Sequence, residues 1–154
     1  SILPTPAPSL LTRQEFSRLV FARDHHRCVL CTQPAVDAHH ILERKLYPDG
    51  GYYLNNGAAV CAPCHLDCEY TRVSVQAVRA AAGITTPVLP PGFNPAHSYD
   101  KWGNRLLEHG LRAAGPLAHD TGMRRALAAG GVIGSLMDHP PTWSSANGRS
   151  RPVH

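Results

Sequence analysis

Residues 28–69, CVLCTQPAVDAHHILERKLYPDGGYYLNNGAAVCAPCHLDCE, decide how the whole chain is read. Cys28-x-x-Cys31 and Cys61-x-x-Cys64 each have the spacing of a knuckle that turns two thiolates toward one tetrahedral Zn²⁺. Two such knuckles, separated by residues 32–60, predict a single structural zinc on four cysteines. All five cysteines lie between positions 28 and 68, which argues against a disulfide framework spread over a secreted fold. Cys68 reads as a small packed thiol rather than a fifth ligand. A core with so few large apolar residues needs a staple of this kind.

The 154 residues suit one compact domain. No apolar run is long enough to cross a membrane and no secretory signal opens the chain, so a soluble, cytoplasmic protein is expected. The formal charge of +4 fits a polyanion binder without requiring one. Zinc held by four thiolates would lower that balance to about +2, so phosphate affinity must come from local basic clusters and a metal.

Working outward, Ser1 to Leu11 holds three prolines and no helical period, and residues 1–11 read as a flexible leader. Thr12-Arg13-Gln14-Glu15 is a capping box, and Phe16, Leu19 and Val20 share a face, predicting a helix over about 13–24. Ser74 and Gly83 cap a helix over Val75 to Ala82. Residues 12–86 therefore form the expected core. Residues 87–137 read as an extension packed on it, with a short helix capped by Thr121 or Asp120, running to about Ala129 and ended by Gly130-Gly131. Tyr99-Asp100-Lys101-Trp102-Gly103-Asn104 within that extension has no assignable chemistry. Residues 138–154, rich in Pro, Ser and Arg, read as a disordered tail.

Between the knuckles stand Asp37-Ala38-His39-His40-Ile41 and Leu54-Asn55-Asn56-Gly57, and the second knuckle runs straight into His65. Hydrolysis of a phosphodiester wants a metal on the phosphate, a base for water and a group that fixes the base. Neighbours on a strand point to opposite faces, so His39 and His40 take different roles.

CxxC, HHI, LxNG before an apolar strand, and CxxCH together resemble the HNH endonucleases, the ββα-metal nucleases, over about residues 28–69. The resemblance implies an α+β protein, a small ββα-metal core over a four-cysteine zinc site, with an N-terminal helix and an irregular or helical C-terminal extension. It implies His39 as metal ligand and His40 as general base, whose imidazole has an ordinary pKa near neutrality. Asn56 stands where the family has the Asn that orients the loop and base, with Asn55 as the adjacent alternative. His65 would be the second metal ligand. Glu69, four residues on and on the same helical face, would be a third, as in the nuclease domains of colicins, or else a solvated charge. The catalytic ion would be Mg²⁺, Mn²⁺, Ni²⁺ or Zn²⁺, two imidazoles favouring the borderline ions.

Such a protein would be a metal-dependent endonuclease leaving 5′-phosphate and 3′-hydroxyl ends, with DNA ahead of RNA as substrate and a bacterial or phage source. A homodimer would let it cut both strands. Arg44 and Lys45 after the His-His pair, with Arg27 and Arg72 beside the knuckles, are the expected nucleic-acid contacts, and Arg23 also flanks them. Tyr47, Tyr52 and Tyr53 would stack on bases or pack their loop. Two rivals remain: a zinc-binding module that holds nucleic acid without cutting it, and a protein-interaction domain merely stapled by zinc.

Overall fold

The computed structural model describes residues 8–137. Most of the expected leader, and all of the expected tail at 138–154, lie outside the described residues. Among the described residues the chain is α+β, with short helices and two small sheets.

Helix α1 (Arg13–Arg23) starts as its sequence predicts. The Thr12 hydroxyl accepts from the Glu15 amide at 3.1 Å and the Glu15 carboxylate accepts from the Thr12 amide at 2.9 Å, which satisfies two free donors of the first turn. The helix stops one residue before the expected 24, as His25 and His26 take φ +58° and leave the helical region, and the Asp24 carboxylate accepts from the Ala59 amide at 2.9 Å.

Strand β1 (Asp37–His40) pairs antiparallel with β2 (Gly57–Val60), in a register that sets His39 opposite Ala58 and His40 opposite Gly57. Phe16 and Val20 of α1 press on this sheet. A Cβ at Gly57 would lie 2.6 Å from both side chains, so only glycine admits so close an approach. Between the strands the chain turns back at Asp49-Gly50-Gly51, where Gly51 takes φ +69° and its amide donates to the Asp49 carboxylate at 3.1 Å. Helix α2 (Ala62–Glu69) follows β2 at once, with Pro63 in its first turn, where the missing amide costs nothing.

The alternation along β1 divides its side chains between two helices. Ala38 and His40 face α1, while Asp37 and His39 face α2. Helix α3 (Val75–Ala82) has the predicted bounds and buries Val75 and Val78 in a core with Ile41, Leu42 and Cys68, so Cys68 packs as a small buried thiol.

The segment beyond builds its own small cluster. Strands β3 (Arg105–Leu106), β4 (Arg112–Ala113) and β5 (Leu136–Met137) form a sheet in that order, antiparallel and then parallel. Helix α4 (Thr121–Ala129) is capped by the Asp120 carboxylate, which accepts from the Met123 amide at 2.9 Å. It buries Met123, Ala126 and Leu127 against Trp102 and Tyr70. No helix among the described residues is long and apolar enough to cross a membrane.

Candidate metal centres and the adjoining groove

The two knuckles bring Cys28, Cys31, Cys61 and Cys64 together, all four sulfurs within 4.8 Å of one another and Cys31 Sγ only 3.5 Å from Cys61 Sγ. Sulfurs bound tetrahedrally at about 2.3 Å from Zn²⁺ stand about 3.8 Å apart, so the cluster can hold zinc with little movement. The thiols differ: burial and the neighbouring thiols raise Cys64, whereas Cys28 is lowered. Burial raises the Cys28 thiol, but the amides of Cys61, Leu30 and Cys31 directed at its sulfur prevail and bring it down to about 7.

On the α2 face of the sheet a second cluster forms. His39 is 2% exposed, and its Nδ1 is buried without a hydrogen-bond partner. That nitrogen lies 3.4 Å from Glu69 Oε2, and His65 Nε2 lies 3.8 Å from the same oxygen. His65 and Glu69 are one turn apart on α2 and so share a face. Two ligands bound tetrahedrally at 2.0–2.1 Å from one ion lie about 3.4 Å apart, so this set fits a divalent cation. Burial, then the charges of Lys101 and His65, hold His39 well below the ordinary imidazole range, which keeps it neutral with a lone pair to donate. His65 Nδ1 faces Asp37 Oδ2 at 3.2 Å, the arrangement in which a carboxylate orients a ligating imidazole through its other nitrogen.

His40 belongs to the opposite face. Its ring stacks on Phe16 at 4.8 Å and meets Tyr52 edge-on at 4.9 Å. Burial, then the charge of Lys101, pushes its pKa down to about 4 against the pull of Glu43 and the Gly50 carbonyl. The expectation of a pKa near neutrality is therefore corrected: the ring is neutral across the physiological range because it is largely desolvated. Its Nε2 is enclosed and unpaired. Beside it runs a groove of about 340 Å³ lined by Arg13, Phe21, Asp37, Arg44 and Tyr52 among others.

Asn56 is 1% exposed and ties the loop together. Its Oδ1 accepts from the Leu42 amide at 3.0 Å, and its Nδ2 donates to the carbonyls of Leu42 at 3.1 Å and Gly51 at 3.3 Å. The segment after His40 is thereby fastened to the glycine turn. Asn55 points outward to the Thr86 carbonyl at 3.0 Å, so of the two asparagines it is Asn56 that holds the loop.

The basic residues divide. Arg44 is exposed at the groove beside His40. Arg27 is exposed next to the cysteine knuckle. Lys45 pairs with Asp120 at 3.0 Å, and Arg72 is held by Asp67 and the Ala129 carbonyl, each at 3.3 Å. Arg23 is a structural clamp, donating to the carbonyls of Leu54 at 2.9 Å and Gly57 at 2.6 Å. Among the tyrosines, Tyr47 packs the loop and donates its hydroxyl to the Val88 carbonyl at 2.7 Å, whereas Tyr52 faces the groove.

Four residues escape the motif reading. Arg13 enters the groove from the first turn of α1. Asp37 was legible in principle, since it lies two residues before His39 and so on the same strand face. Glu43 and Lys101 carry no such signal: Lys101 Nζ lies 2.7 Å from Glu43 Oε1 and 2.8 Å from Glu69 Oε2, a contact made by the extension. Comparison with protein-family models, with curated proteins and with solved structures gave no match.

Proposed function

We propose that this protein is a metal-dependent endonuclease of the HNH, ββα-metal type, hydrolysing phosphodiester bonds in nucleic acid, with DNA ahead of RNA. The observation that carries the reading is the convergence of His39, His65 and Glu69 around the orphaned His39 Nδ1, with ligand atoms within 4.8 Å, on the strand that also bears His40. In this reading β1, β2 and α2 are the ββα unit, and the zinc on the four cysteines fastens its base.

A divalent ion held by His39, His65 and Glu69 would polarise the scissile phosphate and stabilise the leaving 3′ oxygen. Asp37 keeps the His65 ring turned so that Nε2 faces Glu69. His40, neutral at physiological pH, accepts the proton of the attacking water once Nε2 gains access to it. Asn56 fixes the loop on which that ring rests. Arg44 and Arg13 supply backbone charge contacts along the groove, which position a strand without reading its sequence.

A second reading has one observation in its favour. The enclosure of His40 Nε2 by its neighbours suits a zinc-stapled module whose basic groove holds nucleic acid without cutting it.

The test is cleavage of supercoiled plasmid and of a structured RNA with Mg²⁺, Mn²⁺ or Ni²⁺, alongside EDTA and a His40→Ala variant. Metal-dependent cutting that His40→Ala abolishes, with zinc and fold retained, supports the nuclease. Binding in a gel shift without cutting under any condition supports the second reading instead, and neither cutting nor binding removes both.

A further inference from the structure

The segment Asp100–Asn104 is unusually well tied for a connector. The Asp100 carboxylate accepts from the amides of Trp102 at 2.9 Å and Asn104 at 3.0 Å, from Asn104 Nδ2 at 3.1 Å and from Arg112 at 2.8 Å. The Trp102 indole N–H donates to the Glu69 carbonyl at 2.8 Å. The Lys101 carbonyl accepts from the Glu43 amide at 2.9 Å. Together these bonds hold one buried ammonium in place. Lys101 is 4% exposed, its Nζ lies over the Trp102 ring at 4.2 Å, and its two carboxylate partners are Glu43 and Glu69.

We propose that Lys101 is a positioning residue of the candidate metal centre, holding Glu69 in place as the third ligand beside His39 and His65. The proposal rests on the metal-centre reading above. Glu69 is held twice from this segment, at its carboxylate by Lys101 and at its backbone carbonyl by Trp102. Its Oε2 is the atom that faces both imidazoles.

The charges support the same role. A buried ammonium needs one carboxylate for neutrality, and Glu43 supplies it at the shorter distance. Glu69 then contributes a negative charge in excess, directed at two imidazole nitrogens, where a cation is the fitting complement. The extension is thus part of the centre, since a core ending at residue 86 would lack Lys101 and Trp102.

The test uses the full chain with zinc loaded at the four cysteines, titrated with Co²⁺ and followed by calorimetry and by the visible d–d absorption of the second ion. The wild type takes up one Co²⁺. Lys101→Met weakens that uptake by about 10- to 100-fold, the usual range for residues supporting a ligand, and changes the absorption band, while zinc content and melting cooperativity persist. Lys101→Arg, which keeps the charge, restores part of the affinity. Because Lys101→Met removes a buried charge and could unfold the chain, Glu43→Gln provides a second arm. It leaves Lys101 to neutralise Glu69 alone, and Co²⁺ affinity falls although Glu43 makes no contact with either imidazole.

Unchanged or tighter Co²⁺ binding in Lys101→Met, or unchanged binding in Glu43→Gln, overturns the positioning role. A wild type that takes up no second ion overturns the metal-centre reading itself, an outcome visible before any variant is compared.

Discussion

His39 and His40, joined by one peptide bond, serve opposite faces of the same two-stranded sheet: His39 meets His65 of α2 ring to ring at 5.0 Å, and His40 stacks on Phe16 of α1 at 4.8 Å. Strand alternation forces the division, and the helix that each face receives decides the environment. One imidazole is enclosed among groups that suit a cation, the other among aromatic rings at the edge of a basic groove.

On the proposed nuclease reading, the division predicts that the two variants fail differently. His39→Ala loses the second ion, so elemental analysis after saturation with Co²⁺ and removal of excess finds zinc alone. His40→Ala keeps both ions and loses cutting. Equal metal content in the two variants would contradict the separate roles.

The four-cysteine cluster predicts that zinc is part of folding. With thiolates from both knuckles on one ion, binding free energy is folding free energy. Cys61→Ser removes a candidate ligand at the start of α2, and its melting temperature should no longer rise with added zinc, whereas that of the wild type should rise by mass action. Calorimetric scans across a zinc series check this.

Asn56→Ala should destabilise the chain by about 3 kcal/mol, because it strands the Leu42 amide and two carbonyls in a buried site. The loop that it frees carries the backbone after His40, so on the nuclease reading cutting should fall by more than the loss of folded protein accounts for. Urea denaturation alongside activity per folded molecule separates the two effects. Asn55→Ala, which gives up exposed contacts with Thr86, should cost about 0.5 kcal/mol or less.

Local signals carry much of this fold. The capping box before Phe16, the Ser74 and Gly83 caps, and the CxxC spacing each act within a few residues, and each marks its element to within one position. The strand period likewise separates His39 from His40. What local signals could not reveal is contact between distant segments. Lys45, expected among the nucleic-acid contacts, is paired with Asp120, 75 positions on. Glu43 and Lys101, 58 positions apart, are ordinary charges until the extension folds back over α2. The depressed pKa of His40 has the same origin, since Phe16, Tyr52 and Lys101 reach it from three parts of the chain.

The Glu43–Lys101 pair gives a pH dependence with a definite sign. Burial alone would raise the Glu43 carboxyl, but the Lys101 charge and hydrogen bond, with the Lys45 amide, outweigh it and leave the pKa below its ordinary 4.5. A carboxyl whose folded pKa is depressed stabilises the fold above its unfolded pKa and loses that contribution as pH falls through the folded value. Stability from this group is therefore complete above about pH 4.5 and declines only below it. Glu43→Gln lacks the titration, so the gap in melting temperature between wild type and variant should be constant from pH 7 to about pH 5 and narrow at lower pH. Taking the difference at each pH cancels any acid loss of zinc from the four-cysteine cluster, which is common to both proteins. A gap that widens on acidification would mean that Glu43 is protonated in the folded chain and that Lys101 is balanced by Glu69 alone.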